Sequence, residues 1–282
     1  LCIGTITRGR SLQTILNSIY GCDIQPMAVE LSRLRCWLSL IIDEDVDKKR
    51  TNWGIANLPN LDFKFVCVNT LIGLPLMVQD SLGTSANDFE KLKELRTEFF
   101  TASASRKLQI EKDFKELQDS IASKQREWST KNTTAVTMLI GWNPFKVIAI
   151  DWFDPFWMFG MKGGFNIVIG NPPYGVSIKN DYRKKVLNSL PKVPDYEIYY
   201  FFIEIAYKLL AKDAILTYII PNTILFNVYA ASYRINLLDR WTIAEILDCT
   251  KFDFFEGATI RNVIIRFQKR STSTKIGYKN TF

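Results

Sequence analysis

The segment Ile169-Gly170-Asn171-Pro172-Pro173-Tyr174-Gly175 places an amide, two prolines and an aromatic ring in succession behind a short apolar run. Proline fixes its own φ and pushes the residue before it into extended geometry, so Pro172 and Pro173 hold this stretch of backbone stiff. The Asn171 amide, the Pro172 carbonyl and the Tyr174 ring are then presented in one arrangement. Such a set suits alkylation of an exocyclic amine like adenine N6, whose lone pair is delocalised into the ring and whose nitrogen is a poor nucleophile. The Asn171 side-chain oxygen and the Pro172 carbonyl would accept both N–H hydrogens. That favours a pyramidal nitrogen with a localised lone pair and stabilises the positive charge that develops during attack. Asn is neutral and removes no proton, so its role would be electrostatic and positional. Tyr174 would stack on the base, an interaction of roughly 1–3 kcal/mol. The alternative reading is a turn that is merely rigid.

Composition narrows the chemistry. The 282 residues contain no histidine, which removes Ser-His-Asp and Cys-His catalysis, zinc deaminase chemistry and histidine metal sites. The five cysteines, Cys2, Cys22, Cys36, Cys67 and Cys249, form no C-x-x-C pair, so neither a zinc site nor a disulfide framework is expected and a reducing cytoplasm is. No metal ligand set is predicted. A formal charge of +7 leaves two readings open, a polyanionic partner or a mildly basic protein. No apolar stretch is long enough for a membrane span. The chain opens on Leu1, which suggests a part of something longer.

The turn needs a scaffold, and the pattern around it alternates short apolar strands with amphipathic helices, the signature of an α/β sheet. Ser18–Asp23 reads as a strand with an acidic end. Behind Pro26, the residues Ala28, Leu31, Leu34, Leu38 and Ile42 recur at helical spacing. Phe63–Val68 reads as a second strand. Residues from about 87 to 131 are dense in charge, with Ile110, Phe114, Leu117 and Ile121 at helical spacing, and predict one or two long helices forming an antiparallel arm inserted in the sheet domain. Phe165–Ile169 reads as a buried strand. Glu197–Leu210 is a helix, Ala214–Ile220 a strand, Ile224–Leu238 a helix, and Ile243–Leu247 and Thr259–Phe267 the closing strands. After Lys269 the chain turns polar, and the packed domain is expected to end there. Ligands of open α/β sheets bind at the carboxyl ends of strands, where Asn171 sits.

Asn-Pro-Pro-Tyr after an apolar strand resembles the amino-methyltransferases, where Asn goes with adenine N6 and Ser in its place with cytosine N4. With the lead-in Gly164-Phe165-Asn166-Ile167-Val168-Ile169-Gly170, the chain looks like the TaqI-like and Eco57I-like adenine-specific DNA methyltransferases of restriction-modification systems. Asn166 stands where relatives usually carry Asp. The resemblance implies a Rossmann-like methyltransferase sheet flanked by helices with a helical insertion, S-adenosylmethionine as cofactor, and double-stranded DNA as partner, its target adenine flipped out. It assigns Asn171, Pro172, Pro173 and Tyr174 to catalysis. Tyr20-Gly21-Cys22-Asp23-Ile24-Gln25-Pro26 is similar to the second motif, which implies Asp23 on the cofactor's ribose hydroxyls and Ile24 against its adenine. Cys67-Val68-Asn69-Thr70-Leu71 resembles the third motif and implies Asn69 at the cofactor's adenine amino group, with Val68 replacing the usual Gly. Phe201-Phe202-Ile203-Glu204 implies a cofactor contact by Phe202, for which core packing is the other reading. Asp253-Phe254-Phe255-Glu256 before Val263–Lys269 resembles the eighth motif and implies Phe255, or its neighbour Phe254, on the flipped base opposite Tyr174. Unstacking that base would cost a few kcal/mol, offset by the two rings.

The glycine-rich first motif is not seen in residues 1–17, where Gly4 and Gly9 are isolated, and a target-recognition domain would follow Phe282. The chain is thus expected to be a partial methyltransferase catalytic domain over residues 1–282, with the insertion near 87–131. The sheet should be mixed, mostly parallel and of the seven-stranded type, lacking its first strand-loop unit. Two other functions fit the same residues: methylation of a protein glutamine amide, whose nitrogen is deactivated in the same way, and a non-catalytic nucleic-acid-binding remnant.

Overall fold

The computed structural model describes residues 8–42, 47–54, 59–74, 86–128, 133–176, 184–186, 193–194, 196–252 and 260–270. The chain divides into two compact units, residues 1–160 and 161–282. Both mix helices and strands, the α/β class read from the sequence.

In the first unit, α1 (Arg8–Ser18) leads into β1 (Gly21–Asp23), followed by α2 (Pro26–Ile42) and β2 (Phe65–Cys67). β1 and β2 pair in parallel, with Asp23 opposite Cys67. Parallel bridges from Val68 to Ile150 and from Gly73 to Phe153 continue the sheet on the far side of β2. Ile15, Val29, Leu40, Leu61, Phe65 and Cys67 form the core between this sheet and its helices. The buried face of α2 carries Val29, Arg33 and Leu40. The stripe of Leu31, Leu34, Leu38 and Ile42, at equally good helical spacing, is exposed. Both faces of this helix are apolar, so periodicity alone selects neither. Arg33 is buried because it has work there: it pairs with Asp62 at 3.1 Å and donates to the Phe65 carbonyl at 2.9 Å, tying α2 to the entrance of β2.

The charged segment forms α3 (Ala86–Phe99) and α4 (Ala104–Trp128), followed by α5 (Thr133–Gly141) and the short α6 (Pro155–Phe159). Ion pairs link the start of α3 to the end of α4 (Asp88–Lys124, 2.9 Å) and the end of α3 to the start of α4 (Glu98–Arg106, 2.6 Å), which makes the pair antiparallel. Its inner face is not merely solvated. Phe99 and Phe114 lie 5.6 and 5.4 Å, ring centre to centre, from Phe63 just before β2, and Phe145 joins the cluster. Among the described residues no helix is long and apolar enough to cross a membrane.

The second unit holds a four-stranded sheet in the order β3-β4-β6-β5, built from β3 (Phe165–Gly170), β4 (Leu210–Pro221), β5 (Trp241–Asp248) and β6 (Asn262–Lys269). β3 and β4 run parallel, joined through α7 (Tyr199–Leu209). β6 lies antiparallel between β4 and β5. The first unit's described strand pair is parallel, and the second unit's three are one parallel and two antiparallel. The core contains Tyr199, Tyr200, Leu216, Ile220, Trp241, Val263 and Ile265. Among the described residues β3 lies at the edge of this unit's sheet, and Ile167 and Ile169 are exposed rather than buried. An apolar run reports that a strand is apolar, not that both its faces are covered. The helix read over Ile224–Leu238 is shorter, α8 (Ala231–Arg240), preceded by 3-10 turns at Asn222–Leu225 and Val228–Ala230. The Asn227 side chain accepts from the Tyr229 N–H at 3.0 Å and caps the second turn, which separates it from the first.

Candidate active site

Each unit presents expected site residues at the carboxyl ends of its parallel strands. In the first unit, Asp23 closes β1 and Asn69 lies two residues beyond β2 on the same edge, because Val68 donates its N–H to the Asp23 carbonyl at 2.8 Å. Asp23 is exposed, and one carboxylate oxygen accepts the Gln25 N–H at 2.8 Å, shaping the turn into α2. Ile24 beside it is exposed as well. Asn69 is buried; its backbone N–H reaches the Ile150 carbonyl at 2.9 Å and its side-chain oxygen accepts from the Leu71 N–H at 3.2 Å.

In the second unit, β3 ends at Gly170 and the Asn171–Tyr174 turn follows at once. Gly170 lies opposite Tyr218 of β4, and a Cβ at this position would come within 2.9 Å of the Tyr218 ring. Glycine thus lets the ring of the neighbouring strand lie against the last residue before the turn. Asn171 is exposed, Pro172 buried and Pro173 exposed. Among the described residues, nothing hydrogen-bonds the Asn171 side chain. Tyr174 is half-buried, packed at the margin of the tyrosine-rich core. The turn closes through Gly175, whose φ of 72° falls in the left-handed region that glycine enters without strain. Its N–H donates to the Glu197 carboxylate at 2.9 Å, and Ile198 donates to the Val176 carbonyl at 3.1 Å. The exit of the turn is therefore fastened to the entrance of α7. No spacing rule links positions 175 and 197, so this anchor was not legible in the sequence.

Phe202 is only partly buried, while Phe201 beside it is fully buried. Its carbonyl accepts from the Tyr218 hydroxyl at 3.5 Å, and its side chain packs against the core of this unit. Tyr196, Tyr199 and Tyr200 stand together, with the Tyr199 and Tyr200 rings 4.3 Å apart. Burial pushes the Tyr199 hydroxyl up to about 12 and raises those of Tyr196 and Tyr200. These phenols stay protonated at neutral pH and serve as structure, not as bases. Phe254 and Phe255, expected at the flipped base, lie outside the described residues.

The turn, with an unengaged amide at a strand's carboxyl end, an extended proline pair and a supported ring, is a polar acceptor set beside a stacking face. The model for the Eco57I restriction-modification methylases matches residues 17–255. The chain belongs to that family. A Methanocaldococcus jannaschii protein described as "Putative type II restriction enzyme and methyltransferase" is 26% identical over 320 residues, covering 92% of this chain. This chain spans only 26% of that relative's length. Among solved structures, the M protein of the type I restriction enzyme EcoKI overlaps at 12% identity and a TM-score of 0.37, covering 95% of this chain and 44% of that one. A Listeria monocytogenes protein described as a "putative class I S-adenosylmethionine-dependent methyltransferase" overlaps at 11% identity and a TM-score of 0.34, covering 74% of this chain and 88% of that one.

Proposed function

We propose that this methylase chain is the catalytic part of an adenine-specific DNA methyltransferase that uses S-adenosylmethionine and acts on N6 of an adenine flipped out of double-stranded DNA. The observation that carries the reading is the Asn171 amide, exposed and unengaged at the end of β3 on a backbone fixed by Pro172, Pro173 and the Gly175–Glu197 bond. An acceptor the protein leaves unused, at the edge where α/β sheets take ligands, is available to a substrate N–H. The Pro172 carbonyl supplies the second acceptor, and Tyr174 a ring on which the base stacks.

The residues of the first unit fit the cofactor. Asp23 offers an exposed carboxylate with only one oxygen used by the turn, which suits a ribose diol, and the exposed Ile24 offers an apolar face for an adenine. Asn69 completes the set on the same strand edge. When bound, the cofactor supplies an electrophilic methyl group. The protein's part is to hold the amine by both hydrogens, so that its lone pair is localised as the N–C bond forms and the S–C bond breaks. The acceptors stabilise the positive nitrogen until its extra proton leaves to solvent. Phe202, half-buried against the core, is assigned to the cofactor contact. Phe255 is assigned to the second face of the flipped base.

The test is transfer of a labelled methyl group to unmethylated DNA, with release-factor protein as the competing acceptor. Asn171→Ala should lower turnover roughly 100- to 1000-fold with little change in cofactor affinity, as for loss of one preorganised polar group. Tyr174→Ala should weaken base binding, while Tyr174→Phe keeps most activity because the stacking face survives. Wild-type rates in Asn171→Ala, or label found on protein glutamine alone, would refute the proposal.

A further inference from the structure

Four chain segments meet at one edge of the second unit's sheet. β3, β4 and β5 all end there, and β6 begins there, with Pro221 opposite Asn262 and Asp248 opposite Val263. Asn222 donates to the Arg261 carbonyl at 2.9 Å and Cys249 to the Asn262 carbonyl at 3.1 Å, so the loops after β4 and β5 are stitched to the approach to β6. The Asn171–Tyr174 turn stands on this edge, and the loop after β4 stands beside it.

That second loop shows large aromatic side chains to solvent. Phe226 is 61% exposed and Tyr229 83% exposed. An exposed ring on a loose loop means little, but this loop is pinned. Arg234 of α8 donates to the carbonyls of Asn227 at 2.6 Å and Ile224 at 3.3 Å, and the Asn227 N–H donates to the Thr223 carbonyl at 2.9 Å. Tyr229 also sits edge-on to Tyr196, with ring centres 6.4 Å apart, leaving its other surfaces open. A guanidinium spent on main-chain carbonyls holds apolar rings out in water, which stabilises no core and suits a ligand. Along the same edge stand the exposed cations Lys251 and Arg261. Both act on Asp248, whose carboxyl is held below its ordinary range first by the Thr250 backbone and hydroxyl and then by these two charges. Among the described residues, these two cations face the single Asp248 carboxylate.

We propose that Phe226 and Tyr229 form a second aromatic platform that takes a nucleobase flanking the target nucleotide, while Lys251 and Arg261 meet the adjoining phosphates. This rests on the DNA-methyltransferase reading and extends it from the reacting base to the strand around it. Rings that stack on any base, next to cations that meet any phosphate, are the makings of a sequence-tolerant grip on a locally opened strand. The base neighbouring a flipped nucleotide loses a stacking partner, and an exposed ring beside the catalytic turn can replace it.

The experiment measures binding of the protein to a fluorescein-labelled duplex carrying one adenine opposite an abasic site, by anisotropy at several salt concentrations. Phe226→Ala and Tyr229→Ala should each weaken binding roughly 5- to 100-fold, and Tyr229→Phe should stay within about 2-fold of wild type. Lys251→Ala should reduce the slope of log affinity against log salt by about 1. Leu108→Ala, an exposed apolar position on α4, is the control and should change neither. Both rings lie in solvent, so the variants should keep the wild-type melting temperature. A Phe226→Ala/Tyr229→Ala double variant that binds this duplex like wild type overturns the platform while leaving the methyltransferase reading intact. So does a variant that changes only the oligomeric state seen by light scattering. If wild-type protein itself neither binds nor methylates DNA, the underlying reading fails first.

Discussion

Removing the Glu197 carboxylate should loosen the Asn171–Tyr174 turn without touching any group proposed to meet the base. The turn leaves Asn171 exposed, and its exit depends on two features, the left-handed Gly175 and the 2.9 Å bond from the Gly175 N–H to Glu197. A hydrogen bond to a charged acceptor contributes about 1.5–3 kcal/mol when well buried. Gly175 is exposed and Glu197 half-buried, so about 1 kcal/mol is the appropriate share. A side chain at Gly175 would meet nothing within 4 Å, so Gly175→Ala is opposed only by its left-handed backbone, again about 1–2 kcal/mol. If that preference is what keeps the turn in its productive shape, each change removes roughly 5- to 30-fold in kcat, because 1.4 kcal/mol is a factor of ten. That is well short of the loss expected for Asn171→Ala. The assay is methyl transfer at saturating DNA and cofactor, run on Glu197→Ala, Glu197→Gln and Gly175→Ala beside wild type. Glutamine keeps an acceptor oxygen and should restore most of the rate, which a merely electrostatic or folding effect would not produce. Full kcat in Glu197→Ala, or a melting temperature that falls while kcat stays fixed, would refute the reasoning.

Two further predictions concern the first unit. Lys64 is buried, 3.8 Å from the Tyr20 ring centre, and burial lowers its pKa from 10.5 to about 8. Between those values the unfolded chain holds a proton that the folded chain has lost, so stability should rise with pH through that window, by on the order of 1–3 kcal/mol. The difference between wild-type and Lys64→Met denaturation midpoints should therefore vary with pH from 8 to 10.5, and parallel curves would sink the idea. Arg33→Met should destabilise the protein by about 3 kcal/mol, since it strands Asp62 and the Phe65 carbonyl. Burial already raises the Asp62 pKa against the pull of Arg33, so the loss should shrink as pH falls through that raised value and the carboxyl becomes neutral. An equal loss at every pH would show that charge stranding is not the cause.

The features legible in the sequence were those that depend on local order along the chain. The Asn-Pro-Pro-Tyr run, the acidic end of β1 and the alternation of strands with helices each need only a few neighbouring residues, and β1, β2 and β3 each end where the turn residues begin. What was not legible depends on partners distant in sequence. α2 carries two apolar faces, and only Arg33, with its acceptors in Asp62 and Phe65, shows which one turns inward; a buried arginine at a helical position looks from sequence like a reason to put that face outside. The Phe165–Ile169 run gives a strand but not its place at a sheet edge, because exposure is a property of the neighbours. The same limit applies at the site. Asn171 could be proposed from the sequence because the chemistry assigned to it is carried by adjacent residues, whereas Glu197 and Arg234 act through main-chain groups 22 and 7 residues away and carry no local signature. A motif therefore identifies the groups that would touch the substrate, and the residues that hold those groups in place emerge only once the strand ends, and the loops that leave them, are brought to a common edge.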